Sequence, residues 1–147
     1  MTLQIGDTAP RFHLADQAGQ WHSLTEYSGQ WVLLYFYPKD DTPGCTTEAC
    51  SLRDHRQSFA KYNAVVLGVS TDSVQSHAQF VQKYQLPFTL LADPDKTVVQ
   101  AYGVQGRLGT KRTSFLIDLT GKIAKIYENV KPAEHTTQVL ADLRNGV

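Results

Sequence analysis

The two cysteines of the chain, Cys45 and Cys50, are its residues best suited to nucleophilic or redox chemistry, and they lie in one short segment. This segment follows an apolar run, a polar stretch and the pair Pro43-Gly44. Beyond Cys45, apolar side chains recur four, seven and fourteen residues later, which is the spacing of one helix face. The pattern predicts that Cys45 lies in the first turn of a helix, on its inward face.

The first turn of a helix is an environment that activates a thiol. Its backbone N–H groups have no acceptor within the helix, and the positive end of the helix dipole lies beside them. Both features favour the thiolate, which is the nucleophilic form of cysteine. Cys45 is therefore the candidate nucleophile.

Strand-like and helical patterns alternate around this segment, which predicts an α/β fold. The predicted strands cover residues 31–37, 64–70, 88–92, 113–118 and 123–127, the last two as a hairpin. The predicted helices run from about 45 to 61, from a cap at 70–72 to about 84, from Asp93-Pro94 to Gly103, and from Pro132 to Gly146. In the second of these helices, Val74, Ala78 and Val81 are predicted to form the buried face, with Phe80 beside it.

Shorter elements are predicted at the N-terminus and before the last hairpin. Residues 10–30 indicate a hairpin around a turn at 17–19, followed by one helical turn at 24–27. Residues 104–111 are predicted to form a polar loop, and Arg112 follows that loop directly before a strand.

The composition is that of one globular domain covering residues 1–147, with 41% hydrophobic residues available for a core. Fourteen basic and fourteen acidic residues balance without a long run of one sign, so neither nucleic acid nor an anionic membrane is indicated as a partner. The N-terminus lacks a secretion-signal pattern, and no apolar run is long enough to span a bilayer. We therefore expect a cytoplasmic protein that acts on a small molecule or on another protein.

Two cysteines in a reducing compartment are more often catalytic, redox-sensing or metal-binding than a structural disulfide. The five histidines of the chain show no paired ligand spacing, so surface or core roles are expected for them. Two inert core thiols stay open as the alternative at this point.

The cysteine segment also resembles the peroxiredoxin family. Pro38, Thr42 and Cys45 fit the P-x-x-x-T-x-x-C motif of that family. The spacing of Cys45 and Cys50 is similar to that of its bacterioferritin-comigratory, PrxQ-like subfamily. Arg112 matches the arginine of the family, and the resemblance extends over essentially the whole chain.

The resemblance implies a thioredoxin-like fold, with a central mixed sheet flanked by helices and an N-terminal hairpin extension. It also implies thiol-dependent reduction of hydrogen peroxide and organic hydroperoxides. In that chemistry Cys45 attacks the peroxide and becomes a sulfenic acid, Cys50 resolves it into an intramolecular disulfide, and thioredoxin or a similar dithiol reduces the disulfide. No metal or organic cofactor is implied, and a monomer is favoured.

Each matched residue suits a physical role in such a reaction. The fixed positive charge of Arg112 favours the thiolate, and free N–H groups near Cys45 can point at the peroxide. Thr42 offers a hydroxyl that donates and accepts, while Pro38, which lacks an N–H, can close one side of the pocket. Glu48 is left outside the predicted site, because first-turn glutamates commonly complement the helix dipole.

Three other functions compete with this interpretation. A thioredoxin-like disulfide reductase would carry two cysteines separated by two residues, whereas four residues separate Cys45 from Cys50. A metal-binding module would use Cys45, Cys50 and His55, but positions five residues apart rotate around a helix and do not converge. A peroxide sensor or holdase would use the same cysteines, so this second activity stays open.

Overall fold

The computed structural model describes residues 2–147, and its centre is a mixed β-sheet. Its strands are β1 (His13–Asp16), β2 (Trp21–Ser23), β3 (Trp31–Phe36), β4 (Ala64–Ser70), β5 (Thr89–Ala92), β6 (Gln105–Gly106), β7 (Gly109–Thr110), β8 (Thr113–Ile117) and β9 (Ile123–Tyr127). Seven of them form one sheet in the order β2-β1-β5-β4-β3-β8-β9, and β6 pairs with β7 in a separate ribbon.

Five α-helices flank the sheet in the part of the chain from residue 2 onwards. They are α1 (Pro43–Asp54), α2 (Arg56–Lys61), α3 (Val74–Tyr84), α4 (Thr97–Ala101) and α5 (His135–Arg144), and a 3₁₀ helix covers Leu24–Tyr27. Between residues 2 and 147, no helix has the length and apolar character that crossing a bilayer requires. The predicted α/β architecture and the short helical turn near residue 24 are confirmed.

The three central strands are parallel, and their apolar runs reflect burial on both faces of the sheet. β3 pairs with β4 and β4 with β5 in parallel register. The β1–β2 hairpin extends the sheet through antiparallel pairing with β5, as the N-terminal hairpin prediction requires. On the other side, β8 and β9 form the predicted antiparallel hairpin.

Two apolar cores lie on opposite faces of the sheet, because successive side chains of a strand point in opposite directions. Along β3, Leu34 and Phe36 belong to one core, while Leu33 and Tyr35 belong to the other. Cys45 packs in the second core, together with apolar residues of α1.

The strand order explains why residues distant in sequence meet at one edge of the sheet. β3 leads into α1, and β8 runs antiparallel beside β3 with Thr113 opposite Phe36. Arg112 precedes Thr113, so it emerges beside the loop between β3 and α1. The sheet therefore brings Arg112 to the helix turn that carries Cys45.

The predicted helix from about 45 to 61 is interrupted, so the prediction of one continuous helix is wrong. Its first part, α1, begins at Pro43 with Thr42 as N-cap. His55 has φ −108° and ψ 16°, outside the helical region, and α2 follows it. The Nδ1 atom of His55 donates to the Ser51 carbonyl at 2.8 Å and satisfies an acceptor at the end of α1.

The cap and the buried face of α3 also differ from the prediction. Ser73, not residues 70–72, is the N-cap, and its Oγ accepts the Ser76 N–H at 3.1 Å. His77 and Phe80 are the buried residues of the helix, whereas Val74, Ala78 and Val81 are half-buried. The polar His77 is buried because both of its ring nitrogens have hydrogen-bond partners.

The start of α4 lies further along the chain than predicted. Asp93 does accept helix N–H groups, from Val98 and Val99 at 3.0 and 2.8 Å, but the helix begins only at Thr97. Its carboxylate therefore caps the helix from a preceding turn that contains Pro94.

Two further predictions need correction near the C-terminus. The last helix begins at His135, and Pro132 lies in the turn before it. Residues 104–111 are not a plain loop, because the backbone pairing of Gln105 with Thr110 forms the β6–β7 ribbon.

Candidate active site

Cys45 is the third residue of α1, and only 1% of its surface is exposed. Pro43 occupies the first helical position, where the missing N–H costs the helix no hydrogen bond. Within residues 2–147, the N–H groups of Gly44 and Cys45 have no acceptor, whereas that of Thr46 donates to the Thr42 carbonyl at 2.8 Å. Two backbone N–H groups without an acceptor therefore lie in the same helical turn as a buried thiol.

Arg112 links this thiol to a carboxylate. Its Nη2 atom donates to Cys45 Sγ at 3.3 Å, and its Nη1 atom donates to Glu48 Oε1 at 2.8 Å. The Arg112 side chain is only 17% exposed, so water screens its charge weakly at the sulfur. A positive charge in contact with sulfur favours the thiolate.

Gly44 provides the space that Arg112 needs to reach the thiol. A Cβ atom at this position would lie 3.0 Å from Arg112 Nη2 and 3.6 Å from Pro132 Cγ. A larger residue would therefore push the guanidinium away from the first turn of α1.

Thr42 and Pro38 occupy the loop before the helix. Thr42 is half-buried, and its hydroxyl donates to the Lys39 carbonyl at 2.9 Å. In the part of the chain that the structure describes, no hydrogen bond joins the Thr42 hydroxyl to Cys45. Pro38 is exposed, so it borders the site from the solvent side.

Comparison with known proteins agrees with this geometry. The AhpC/TSA family matches residues 5–126 of the chain. The protein named Peroxiredoxin Bcp from Escherichia coli (strain K12) is 44% identical, over 94% of this chain and 94% of its own length. The chain belongs to the peroxiredoxin family.

Solved structures support the same relationship. Peroxidoxin BcpB from Mycobacterium tuberculosis has a TM-score of 0.91 and 37% identity, covering 97% of both chains. A Xanthomonas campestris bacterioferritin comigratory protein has a TM-score of 0.91 and 34% identity, covering 98% of this chain and 97% of its own. The thioredoxin-like fold and the PrxQ-like resemblance are confirmed, and the peroxiredoxin is a thiol peroxidase that acts on peroxides and is reduced by a thiol.

Glu48 is the residue of this peroxiredoxin site that sequence reasoning left out. Only 1% of its surface is exposed, and burial raises its pKa to about 7 although the charge of Arg112 acts in the opposite direction. Glu48 lies three residues after Cys45, and residues at this spacing share one side of a helix. This spacing was the sequence feature that could have placed Glu48 in the site. Because α1 begins at Pro43, Glu48 lies in the second turn of the helix and not, as predicted, in the first, where it would complement the dipole. Its burial and its contact with Arg112 distinguish it from an exposed glutamate.

Tyr35 and His135 carry buried polar atoms near Arg112. Tyr35 Oη, His135 Nδ1 and Glu48 Oε2 are the buried side-chain atoms without a hydrogen-bond partner between residues 2 and 147. Burial, reinforced by nearby negative charges, raises the pKa of Tyr35 well above its usual range. Burial and the charge of Arg112 lower the pKa of His135 to about 4, so His135 is neutral near pH 7 and Arg112 supplies the positive charge.

Cys50 lies further along α1 as a half-buried free thiol. On an ideal helix, residues five apart have Cα atoms about 8–9 Å from each other and side chains rotated by about 140°. A disulfide requires Cα atoms within about 7 Å. The folded helix of the peroxiredoxin therefore holds its two cysteines too far apart for a disulfide.

One group of side chains in the peroxiredoxin has the composition of a metal site. The ligand-type atoms of Asp40, Asp72 and His77 lie within 4.8 Å of one another. They are already paired, since His77 Nδ1 is 2.7 Å from Asp40 Oδ2, and Asp72 Oδ2 accepts the Asp40 N–H at 2.8 Å. This is a hydrogen-bonded network. Cys45, Cys50 and His55 do not form such a group within residues 2–147.

Proposed function

We propose that Cys45 is the nucleophile of this thiol peroxidase and that Cys50 is its resolving thiol. The observation that carries the proposal is the 3.3 Å contact between Arg112 Nη2 and Cys45 Sγ in a buried first turn with free N–H groups. Arg112 and Thr42 complete the site, and Pro38 closes its solvent side.

In the first step, the Cys45 thiolate attacks one oxygen of the peroxide. The S–O bond forms as the O–O bond breaks, so sulfur is oxidised to a sulfenic acid and the peroxide is reduced. The departing hydroxide or alkoxide takes up a proton and leaves as water or an alcohol. Arg112 and the free N–H groups of Gly44 and Cys45 stabilise the negative charge that develops on the departing oxygen.

The hydrogen bond of Thr42 defines its part in substrate binding. Its hydroxyl proton is directed at the Lys39 carbonyl, which leaves the oxygen lone pairs free to accept. Thr42 is therefore suited to accept the O–H of the peroxide and to hold its O–O bond in line with the sulfur.

In the second step, the Cys50 thiol attacks the sulfenic acid, forming the disulfide and releasing water. Because the helix separates the two cysteines, this step requires the segment from about Thr42 to Leu52 to unwind. Hydrogen exchange on the reduced and disulfide forms tests this step. Amides of the segment are expected to lose protection in the disulfide form, and equal protection in both forms would contradict unwinding.

The third step returns the enzyme to its dithiol form. We infer that thioredoxin or a similar dithiol is the reductant, in a reducing cytoplasmic compartment where free cysteines persist. The peroxiredoxin is proposed to act as a monomer, since one helix carries both Cys45 and Cys50. Organic hydroperoxides are proposed as substrates alongside hydrogen peroxide, because the similar Xanthomonas protein is described for alkyl peroxide reduction.

The Cys45→Ser variant tests the assignment of the nucleophile. In a thioredoxin-coupled assay with hydrogen peroxide, it is expected to lose turnover, because a serine hydroxyl stays protonated and is a weak nucleophile toward peroxide. Turnover near that of the unchanged protein would contradict the assignment of Cys45.

Light scattering after size exclusion on the unchanged protein tests the proposed monomer.

A further inference from the structure

Asp40, in the loop that leads from β3 to Cys45, is held by three donors although the loop lies at the protein surface. Its residue is only 7% exposed. One carboxylate oxygen accepts the Tyr37 hydroxyl at 2.5 Å, and the other accepts the Ser76 hydroxyl at 2.8 Å and faces His77 Nδ1 at 2.7 Å. This carboxylate therefore anchors the loop to α3.

His77 joins this loop to the sheet through its two ring nitrogens. The side chain is fully buried, and its Nε2 atom is 3.0 Å from the Leu91 carbonyl in β5. A carbonyl only accepts, so Nε2 carries a hydrogen. One further proton must lie between Nδ1 and Asp40 Oδ2, because two bare lone pairs at 2.7 Å would repel each other.

Asp41 provides a second attachment of the same loop to α3. Its carboxylate accepts Lys83 Nζ at 2.7 Å and the Tyr84 hydroxyl at 2.8 Å. The Asp41 backbone has φ +56°, a left-handed conformation that costs energy in a residue other than glycine. These contacts with α3 restrain the loop beside Asp40 in this conformation.

We propose that His77 is a positioning residue for the peroxide step, acting through Asp40. The proposal rests on the function assigned above to Cys45 and Thr42. Asp40 lies two residues before Thr42, which is the N-cap of α1 and hydrogen-bonds back to the Lys39 carbonyl. A shift of Asp40 is therefore transmitted to the hydroxyl that binds the peroxide.

The effect of His77 should fall on peroxide alignment more than on thiolate formation. Arg112, which directly precedes β8, contacts the sulfur of Cys45. His77, on α3, contacts Asp40 in the loop before α1, and within residues 2–147 no hydrogen bond joins it to the sulfur. A displacement of about 1 Å in an aligned reaction can slow it about a hundredfold. Alkylation of Cys45 by iodoacetamide needs the thiolate but does not need Thr42 to hold a peroxide.

Two substitutions of His77 isolate the hydrogen bond to Asp40. His77→Asn retains an N–H near the Nδ1 position and loses the contact with Leu91, whereas His77→Leu loses both contacts. His13→Leu, at an exposed histidine of β1, is the matched control. Competition with a haem peroxidase for limiting hydrogen peroxide gives the rate constant of the peroxide step, and iodoacetamide gives the reactivity of the thiolate.

The expected result is a rate constant for peroxide about tenfold to a hundredfold lower in His77→Leu, as a misalignment of up to about 1 Å implies. Its alkylation rate should stay within about threefold of the unchanged protein, as should both rates in His77→Asn and in the His13 control. Equal peroxide rates in His77→Leu and the unchanged protein, or equal losses in both His77 variants, would overturn the proposal.

A second pair of variants applies the same test from Asp40, the partner of His77 in the loop. Asp40→Asn can still pair with His77 through its amide, and Asp40→Ala cannot. The Ala variant alone is expected to lose peroxide rate while keeping its alkylation rate, and parallel losses of both rates would overturn the proposal. Retained peroxide turnover in Cys45→Ser would overturn the assignment of the active site. Peroxide rates in Asp40→Ala and His77→Leu equal to that of the unchanged protein would overturn only the role of His77.

Discussion

Glu48→Gln changes one charge at the site and leaves its hydrogen bond in place. The amide oxygen of glutamine can still accept Arg112 Nη1, which lies 2.8 Å from Oε1 in the protein. The substitution removes a carboxyl that titrates within the range of ordinary assays. The stability of the protein should therefore lose part of its dependence on pH.

The magnitude follows from the pKa of the carboxyl. Burial raises the pKa of Glu48 from 4.5 to about 7, so between these values the folded protein binds more protons than the unfolded chain. Stability from this group is present below pH 4.5 and is lost as pH rises through 7. At about 1.4 kcal/mol per pH unit, the loss amounts to about 3 kcal/mol in total and about 2.5 kcal/mol between pH 5 and pH 8.

Urea unfolding of the reduced protein at pH 5 and pH 8, followed by tryptophan fluorescence, measures this loss. From pH 5 to pH 8, the unfolding free energy of Glu48→Gln should fall by about 2.5 kcal/mol less than that of the unchanged protein. Glu128→Gln, at an exposed glutamate, is the control, and its unfolding free energy should change with pH as that of the unchanged protein does. Titration of His135 occurs in all three proteins and cancels. The same pH dependence in Glu48→Gln and the unchanged protein would show that burial does not raise the pKa of Glu48.

Variants at four further residues, Arg112, Thr42, Cys50 and His135, have predicted effects. Arg112→Ala should slow the alkylation of Cys45 by iodoacetamide at neutral pH, because a positive charge in contact with sulfur favours the thiolate. Thr42→Val should slow the peroxide step with less effect on alkylation. An unchanged alkylation rate in Arg112→Ala would show that its charge does not act on the sulfur. Cys50→Ser should keep the first peroxide attack, trap the sulfenic acid and overoxidise more readily, as mass spectrometry can show. Thioredoxin-coupled turnover as fast as that of the unchanged protein, without overoxidation, would argue against Cys50 as the resolving thiol. Burial lowers the pKa of His135 from 6.5 in the unfolded chain to about 4 in the folded protein, so the protein loses about 3 kcal/mol of stability as pH falls through this range. His135→Gln should remove that loss, as measured by urea unfolding at pH 7 and pH 4. An equal loss in the variant would contradict the burial of His135 as a neutral group.

The sheet strands were predictable from sequence because strands buried on both faces of a sheet are nearly continuous apolar runs. β4 is an almost continuous apolar run, and β8 and β9 are separated by a glycine-containing turn. The first turn of α1 was predictable for a similar reason, since Pro43-Gly44 and the inward spacing after Cys45 are local features.

Arg112 could be matched to a family motif, but its contact with Cys45 could not be derived from periodicity. The two residues are 67 positions apart, and only the antiparallel pairing of β8 with β3 brings them together. Glu48 was missed because it was assigned to the first turn of the helix, whereas α1 begins at Pro43 and Glu48 is its sixth residue. A glutamate on a helix has the same sequence signature whether it is exposed or buried. Its partner, and therefore its pKa, depends on the tertiary position of Arg112.

His77 illustrates the same limit in α3. The apolar spacing favoured Val74 and Ala78 as the buried face, yet His77 is buried instead. Its burial depends on Asp40 from the loop and on the Leu91 carbonyl from β5. Hydrogen-bond partners from two other elements leave no periodic pattern in a sequence.

Peptide mapping after limiting hydrogen peroxide tests whether Cys45 and Cys50 carry one peroxide through a sulfenic acid to an intramolecular disulfide. Cleavage after Lys39, Glu48 and Arg53 separates the two cysteines, because Glu48 lies between them. We expect the loss of both thiols for each peroxide consumed, and fragments 40–48 and 49–53 joined by a disulfide that reduction releases. Peroxide consumed at the normal rate with these two fragments unlinked would show that Cys45 and Cys50 are not the reacting pair.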